Sequence, residues 1–235
     1  MKLLLGLDIG TTAMKIALFD RTGALLAVST QEYDLLTPAP NYVEEKPEVY
    51  WDAFCIGLKD IKSRYTIAKD AQISLAMSAQ GETIFFLDKD GRPLRNAIVW
   101  MDNRAVREAE MLKEAFGNAE CYQKTGQVSF EACWPASKIL WVREHEPEVF
   151  QNTDKFLLIE DYFIYRLTGK YAQSHLLSAP PPTGILLKEV TGRRCWIFWE
   201  SRNHSLPCQG IRGDSGKNPA RGSSRAGPRN GSYGL

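Results

Sequence analysis

The chain has 235 residues, 44% of them hydrophobic and 24% charged, with a net charge of +1. These values suit a soluble globular protein of one or two domains and give no reason to expect a nucleic-acid or membrane surface. No run of ~18 apolar residues is present to span a bilayer. Asp8 also interrupts the apolar N-terminus before any signal-peptide cleavage site could follow.

Five cysteines form no CxxC pair. That argues against a disulfide scaffold or a cysteine zinc site and fits a reducing cytoplasm.

In chain order, residues 3–9 read as a buried strand. Residues 13–20 and 24–33 alternate as two more strands, joined by a hairpin turn over Asp20-Arg21-Thr22-Gly23. Pro47 suits the first turn of a helix over 47–65, with Val49, Ala53, Phe54, Ile56, Leu58 and Ile61 as its apolar stripe. Residues 72–78 and 83–88 are strands, Asp88–Gly91 is a turn, and Ala97–Trp100 is a further strand. Helices are expected over 104–116 and 135–144, and a short apolar run leads into a helix over 155–168. Strands in a hairpin group, then strands mixed with helices, imply an α/β domain with a mixed sheet flanked by helices.

The charge balance breaks near Pro180-Pro181-Pro182. Residues 1–179 carry 20 Lys/Arg and 25 Asp/Glu, whereas residues 180–235 carry 9 and 3. The last 56 residues also hold 9 of the 18 glycines. After Trp199 the text has almost no aliphatic residues, so it cannot bury enough apolar area to offset its ordering entropy. Residues 180–235 are therefore expected to be an irregular, disordered basic tail or the product of an aberrant translation such as a frameshift.

Three segments carry candidate chemistry. In Gly6-Leu7-Asp8-Ile9-Gly10-Thr11-Thr12-Ala13-Met14-Lys15 a carboxylate ends one strand, a Gly-Thr-Thr turn follows, and a lysine lies on the next strand. Gly10, Thr11, Thr12 and Lys15 suit phosphate oxygens and Asp8 suits Mg2+; an ordinary hairpin turn explains the spacing as well. Ser78-Ala79-Gln80-Gly81-Glu82-Thr83 places polar groups at a strand end, where they suit a polyhydroxylated ligand or a plain tight turn. Ala97–Arg104 delivers Trp100, Asp102 and Arg104 to the mouth of a helix. The Trp face can pack a sugar while the carboxylate takes its hydroxyls, or Trp100 is core and Asp102 caps the helix. His145, His175 and His204 are isolated, in solvated or packed positions.

Taken together and in this order, these segments resemble the N-terminal domain of the FGGY carbohydrate kinase family. GLDIGTT with its following lysine resembles the family's first phosphate loop. YVEEKPEVYWDA (42–53) resembles the entry into its first long helix. Residues 78–105 resemble its substrate strand pair, and ASKILWVREHEPEVFQNTDKFLLIEDYFIYRLTGKYA (136–172) resembles a further signature. The resemblance covers about residues 1–179.

It implies an actin-like, ribonuclease-H-like fold and transfer of a phosphoryl group from ATP and Mg2+ to a hydroxyl of a small sugar or polyol. Asp8 then matches the metal-associated carboxylate, and Gly10, Thr11, Thr12 and Lys15 match the phosphate loop. Gln80, Gly81 and Glu82 match the substrate loop, where Gly81 departs from both the glycerol kinase and the xylulokinase patterns. Trp100, Asp102 and Arg104 resemble the W-x-D-x-R of ketose and sugar-acid kinases. A cytoplasmic location is expected, and a homodimer is left open. The family continues with a Gly-Asp motif supplying the catalytic carboxylate and with an ATP-binding second domain. Gly213-Asp214 is too poor in apolar neighbours to match that motif, so no catalytic residue is identified and the chain alone is expected to be inactive.

Overall fold

The computed structural model describes residues 1–125, 127–171, 186–190 and 193–197. Three strands open the chain as expected: β1 (Lys2–Ile9), β2 (Ala13–Asp20) and β3 (Leu25–Glu32). Their side chains alternate, so Leu3, Leu5, Leu7 and Ile9 of β1 and Met14, Ile16 and Leu18 of β2 all point into one core. The register pairs Leu7 with Ile16 and Ile9 with Met14. The β2–β3 turn forms over Asp20–Gly23. Asp20 Oδ1 accepts from Thr22 N at 2.8 Å and Ala24 N at 3.0 Å, and Gly23 sits at φ 88°. A side-chain carboxylate thus closes the turn from inside.

Strand β4 (Glu44–Glu45) leads into helix α1 (Pro47–Arg64), with Pro47 at its first turn. The buried stripe of α1 is Tyr50, Ala53, Phe54, Gly57 and Ile61. This is the i, i+3, i+4, i+7 spacing of a core-facing helix. The expected stripe is corrected at Ile56, which is exposed, because the same phase that buries Ala53 and Ile61 selects Gly57. At Gly57 a Cβ would lie 2.7 Å from Ile16 Cδ1, so the helix rests directly on β2.

Strand β5 (Gln72–Ala79) pairs parallel with β1, which gives a mixed sheet in the order β3-β2-β1-β5. A second sheet has the order β4-β7-β6-β8, from β6 (Ile84–Leu87), β7 (Ala97–Ile98) and β8 (Lys155–Leu158). All four residues of β6 are buried. Phe85 and Leu87 face the first core with α1, whereas Ile84 and Phe86 face a second core with Ile98, Trp141 and Val142. One strand therefore divides two cores by its two-residue period.

The helices are α2 (Val106–Phe116), α3 (Asn118–Thr125), α4 (Pro135–His145), α5 (Pro147–Asn152) and α6 (Ile159–Thr168). The predicted helix over 104–116 begins two residues later, because Arg104 is committed to the pairing described below. Leu112, Phe116, Cys121, Phe130 and Leu140 close a third small core. Strands β9 (Leu186–Val190) and β10 (Arg193–Ile197) form an antiparallel pair in which Val190 pairs with Arg193. Residues 198–235, with His204, Cys208 and Gly213-Asp214, lie outside the described residues, as does His175.

No helix among the described residues is long and apolar enough to cross a membrane.

Candidate functional site

The ends of β1, β5 and β7 come together at one edge of the two sheets. Asp8 ends β1, is exposed, and lies opposite Lys15 on β2 and Ser78 on β5. The turn after β1 is tight. Gly10 N donates to Ala13 O at 2.9 Å, and a Cβ on Gly10 would sit 2.8 Å from that same oxygen. Only glycine fits there, and Thr11 and Thr12 are carried at the turn's tip. Tyr33 fastens the turn from behind, donating from its hydroxyl to Gly10 O at 2.6 Å. Burial pushes the Tyr33 phenol above its usual range, with Glu45 and Asp8 adding to the effect, so it stays a donor.

The second segment is tied to the first. Gln80 N donates to Ile9 O at 2.8 Å, which extends the β1–β5 pairing into the loop. Gln80 Nε2 donates to Tyr50 Oη at 3.1 Å. Glu82 adopts φ 62°, a left-handed conformation that bulky L residues rarely take. Burial pushes its carboxyl above the usual range; Lys138 opposes that shift and Glu160 adds to it.

The third segment closes the edge. Trp100 is 41% exposed. Its backbone N–H donates to Thr83 Oγ1 at 3.1 Å, and its indole Nε1 donates to Thr11 Oγ1 at 2.9 Å. Segments far apart in sequence are thereby bonded into one surface that carries Asp8, Thr11, Gln80, Glu82 and Trp100.

Asp102 and Arg104, also expected as substrate contacts, are engaged by protein partners instead. Asp102 is fully buried, and its oxygens accept from Val43 N at 2.6 Å and from Arg104 N, Nε and Nη2 at 2.8–3.0 Å. Arg104 also pairs with Glu44 at 2.8 Å and lies over the Tyr42 ring at 4.0 Å. Every strong acceptor direction on Asp102 is occupied by protein. The pair instead fastens the loop after β7 to the segment before α1, with Arg95 bridging Glu44 and Glu146 at its flank.

Sequence reasoning missed Lys138, Tyr33 and Tyr50. Lys138, on α4, is 0% exposed, and its Nζ donates to the carbonyl oxygens of Glu82 and Val99, each at 2.9 Å. The available signal was phase: Lys138 lies three and four residues before the buried Trp141 and Val142, on the inward face of its helix. Burial pushes its ammonium down to about 8, opposed by the charge on Asp102.

Among the described residues no cluster of three or more His, Cys, Asp or Glu side chains could hold a metal ion. The donor set at the first turn nonetheless fits a magnesium-bound phosphate. Mg2+ keeps most of its waters and needs few protein carboxylates, and Asp8 is one exposed carboxylate beside two hydroxyls, an ammonium and a glycine-tight turn.

The model of the FGGY family of carbohydrate kinases, N-terminal domain, matches residues 3–178. The xylulose kinase of Escherichia coli is 32% identical over 168 residues, covering 72% of this chain and 34% of the relative. The glycerol kinase of Thermococcus kodakarensis is 33% identical over 178 residues, covering 74% and 35%. The match to the Bacillus subtilis xylulose kinase, 34% identical, covers 83% of this chain and 38% of that relative, so it reaches past residue 179. Among solved structures, the ligand-bound xylulose kinase from Lactobacillus acidophilus superposes with a TM-score of 0.66 at 31% identity, covering 73% of this chain and 34% of that one. The chain thus spans about a third of the length of the relatives it matches, and its β3-β2-β1-β5 sheet is that of one domain of an actin-like ATPase fold. On this sequence match and this architecture, the chain belongs to the FGGY family of carbohydrate kinases.

Proposed function

We propose that this chain supplies the sugar-binding side of an ATP-dependent kinase that phosphorylates a hydroxyl of a small sugar or polyol. One observation carries the reading: the bond from Trp100 Nε1 to Thr11 Oγ1 at 2.9 Å, which sets an exposed aromatic face and the Gly-Thr-Thr turn side by side. In this reading Glu82 and Gln80 take ligand hydroxyls and the Trp100 ring packs against C–H groups. Gly10, Thr11, Thr12 and Lys15 receive phosphate, and Asp8 holds the hydration shell of Mg2+. When bound, ATP and Mg2+ supply the transferable phosphoryl group and neutralise its charge. We assign Asp102 and Arg104 the task of holding the Trp100 loop in place. A cytoplasmic location, where ATP is plentiful, and a homodimeric state belong to the same proposal.

A second reading is a non-catalytic sugar- or phosphate-binding module. It is favoured by the surface itself, since Gln80, Glu82 and Trp100 stand together on loops tied by backbone and side-chain hydrogen bonds. Calorimetry and ATP turnover with D-xylulose, glycerol and D-gluconate separate the two. Ligand-stimulated ADP release supports the kinase, binding of a sugar or of inorganic phosphate without turnover supports the module, and no binding to any of the three or to phosphate overturns both.

A further inference from the structure

Lys138 is the one buried lysine among the described residues, and neither reading of the site uses it. An ammonium withdrawn from water carries a large desolvation penalty, and a hydrophobic residue of similar volume usually packs as well or better. Its position is therefore informative. The two carbonyls it binds belong to different loops: that of Glu82 lies in the β5–β6 connection, and that of Val99 lies just past β7. These loops present the two side chains read above as ligand-facing, Glu82 and Trp100. The first bond falls on the residue whose backbone is held at φ 62°. A donor fixed on a separate helix is the kind of restraint that keeps such a conformation populated.

We propose that Lys138 is a positioning residue for ligand binding, its ammonium clamping the Glu82 and Val99 carbonyls so that Glu82 and Trp100 face one ligand at a fixed separation. The inference rests on the reading of those two side chains as the ligand surface. Asp102, Cys133, Glu82 and Arg104 are the ionisable groups around the ammonium. Asp102 is committed to Arg104, and burial pushes the Cys133 thiol up, so it stays neutral at physiological pH. Lys138 is then the group that changes charge in mildly alkaline solution. Its bonds to the carbonyls lose their charge assistance there, whereas the fold as a whole is relieved of a buried charge. A lysine serving only stability would not weaken binding while the fold strengthens. A clamp would.

The test uses the full 235-residue chain and Lys138→Met, which keeps the length and removes the donors. Amide exchange is followed at Glu82–Thr83 and Val99–Met101, with β1 and β2 as internal reference, and affinity is measured for D-xylulose, glycerol and D-gluconate. The expected result is exchange at least tenfold faster at those loops alone and affinity at least tenfold weaker. Wild-type affinity should fall above pH 8 while its melting temperature rises, and the variant should show neither trend. Unchanged loop exchange overturns the clamp, and so does faster exchange with unchanged affinity. If the wild-type chain binds none of the three compounds, the reading of Glu82 and Trp100 as a sugar-facing surface fails, and loop exchange alone decides whether the clamp exists. If Lys138→Met does not fold, the wild-type chain decides through the indole resonance of Trp100, assigned by its loss in Trp100→Phe. A titration with a midpoint near pH 8 supports the clamp, and a flat profile from pH 7 to 9.5 overturns it.

Discussion

Trp100 and Thr11 are 89 residues apart in sequence, yet the indole nitrogen of one donates to the hydroxyl of the other at 2.9 Å. The bond joins the Gly-Thr-Thr turn of the first sheet to the loop just past β7 in the second. Removing it should separate the two without disturbing either core. Trp100→Phe is expected to lower unfolding stability by only about 0.5–1.5 kcal/mol, the net worth of one hydrogen bond. Affinity for the best-binding sugar or polyol should fall by more than tenfold. Urea melts and calorimetry on the same preparation check both arms.

The two aspartates of the motif segments should behave oppositely. Asp102 is buried with three donors of Arg104 around it, and breaking such a pair strands a buried charge at a cost of about 3–5 kcal/mol. Asp102→Asn is expected to unfold much of the population at 37 °C. Asp8 is exposed at a strand end, and Asp8→Asn should stay within about 0.5 kcal/mol of wild type while weakening Mg2+-nucleotide binding. Thermal melts with and without Mg2+-ADP distinguish them.

The buried ammonium predicts an unusual pH profile. Lys138 sits at about 8 in the folded chain against an ordinary value of 10.5. Below pH 8 both states hold the proton. Between 8 and 10.5 the unfolded chain holds it and the folded chain does not, so unfolding takes up a proton and stability rises with pH, by at most about 1.4 kcal/mol per unit. Above ~9, near the ordinary cysteine range, an opposing trend enters. Burial pushes the Cys55 and Cys133 thiols and the Tyr33 and Tyr50 phenols up, so they ionise first in the unfolded chain. Denaturation midpoints from pH 7 to 9 should rise in wild type and stay flat in Lys138→Met.

Among the described residues, strand β5 lies at the end of its sheet with Ile73 44% and Leu75 38% exposed. Unpaired backbone beside exposed apolar side chains is a template for association. Ile73→Lys is expected to reduce self-association in sedimentation velocity at matched concentration and to leave the melting temperature within about 2 °C, as an exposed surface change should.

The long elements were legible because their burial follows one period throughout: alternation in β1 and β2, and 3.6 in α1. Strand β4, of only two glutamates, was not, since it forms where Glu44 pairs with Ile98 and its carboxylate meets Arg95 and Arg104, partners about fifty residues or more away. Helix α5 is too short for its period to declare itself. At the candidate site, residue type picked out three segments that the fold brings to one edge, but not the direction each side chain takes. Trp100 and Asp102 are two residues apart after β7, where the chain has left the strand and alternation no longer governs. One turns toward Thr11 and the other inward to Arg104. Lys138 stayed hidden because a lysine on an amphipathic helix is normally solvated, and the three-dimensional placement of the Glu82 and Val99 carbonyls explains an inward one.

The seat of Gly57 on Ile16 reaches further than local packing. Tyr50, whose hydroxyl orients the Gln80 amide, lies on the same face of α1 two turns upstream, about 10 Å along the axis. The helix acts as a lever whose fulcrum is a missing methyl group. A single carbon added at the fulcrum would lift the far end and tilt the amide. Ligand preference in such a domain could therefore drift through residues that never meet a ligand, and a comparison restricted to the lining of the binding surface would overlook the cause.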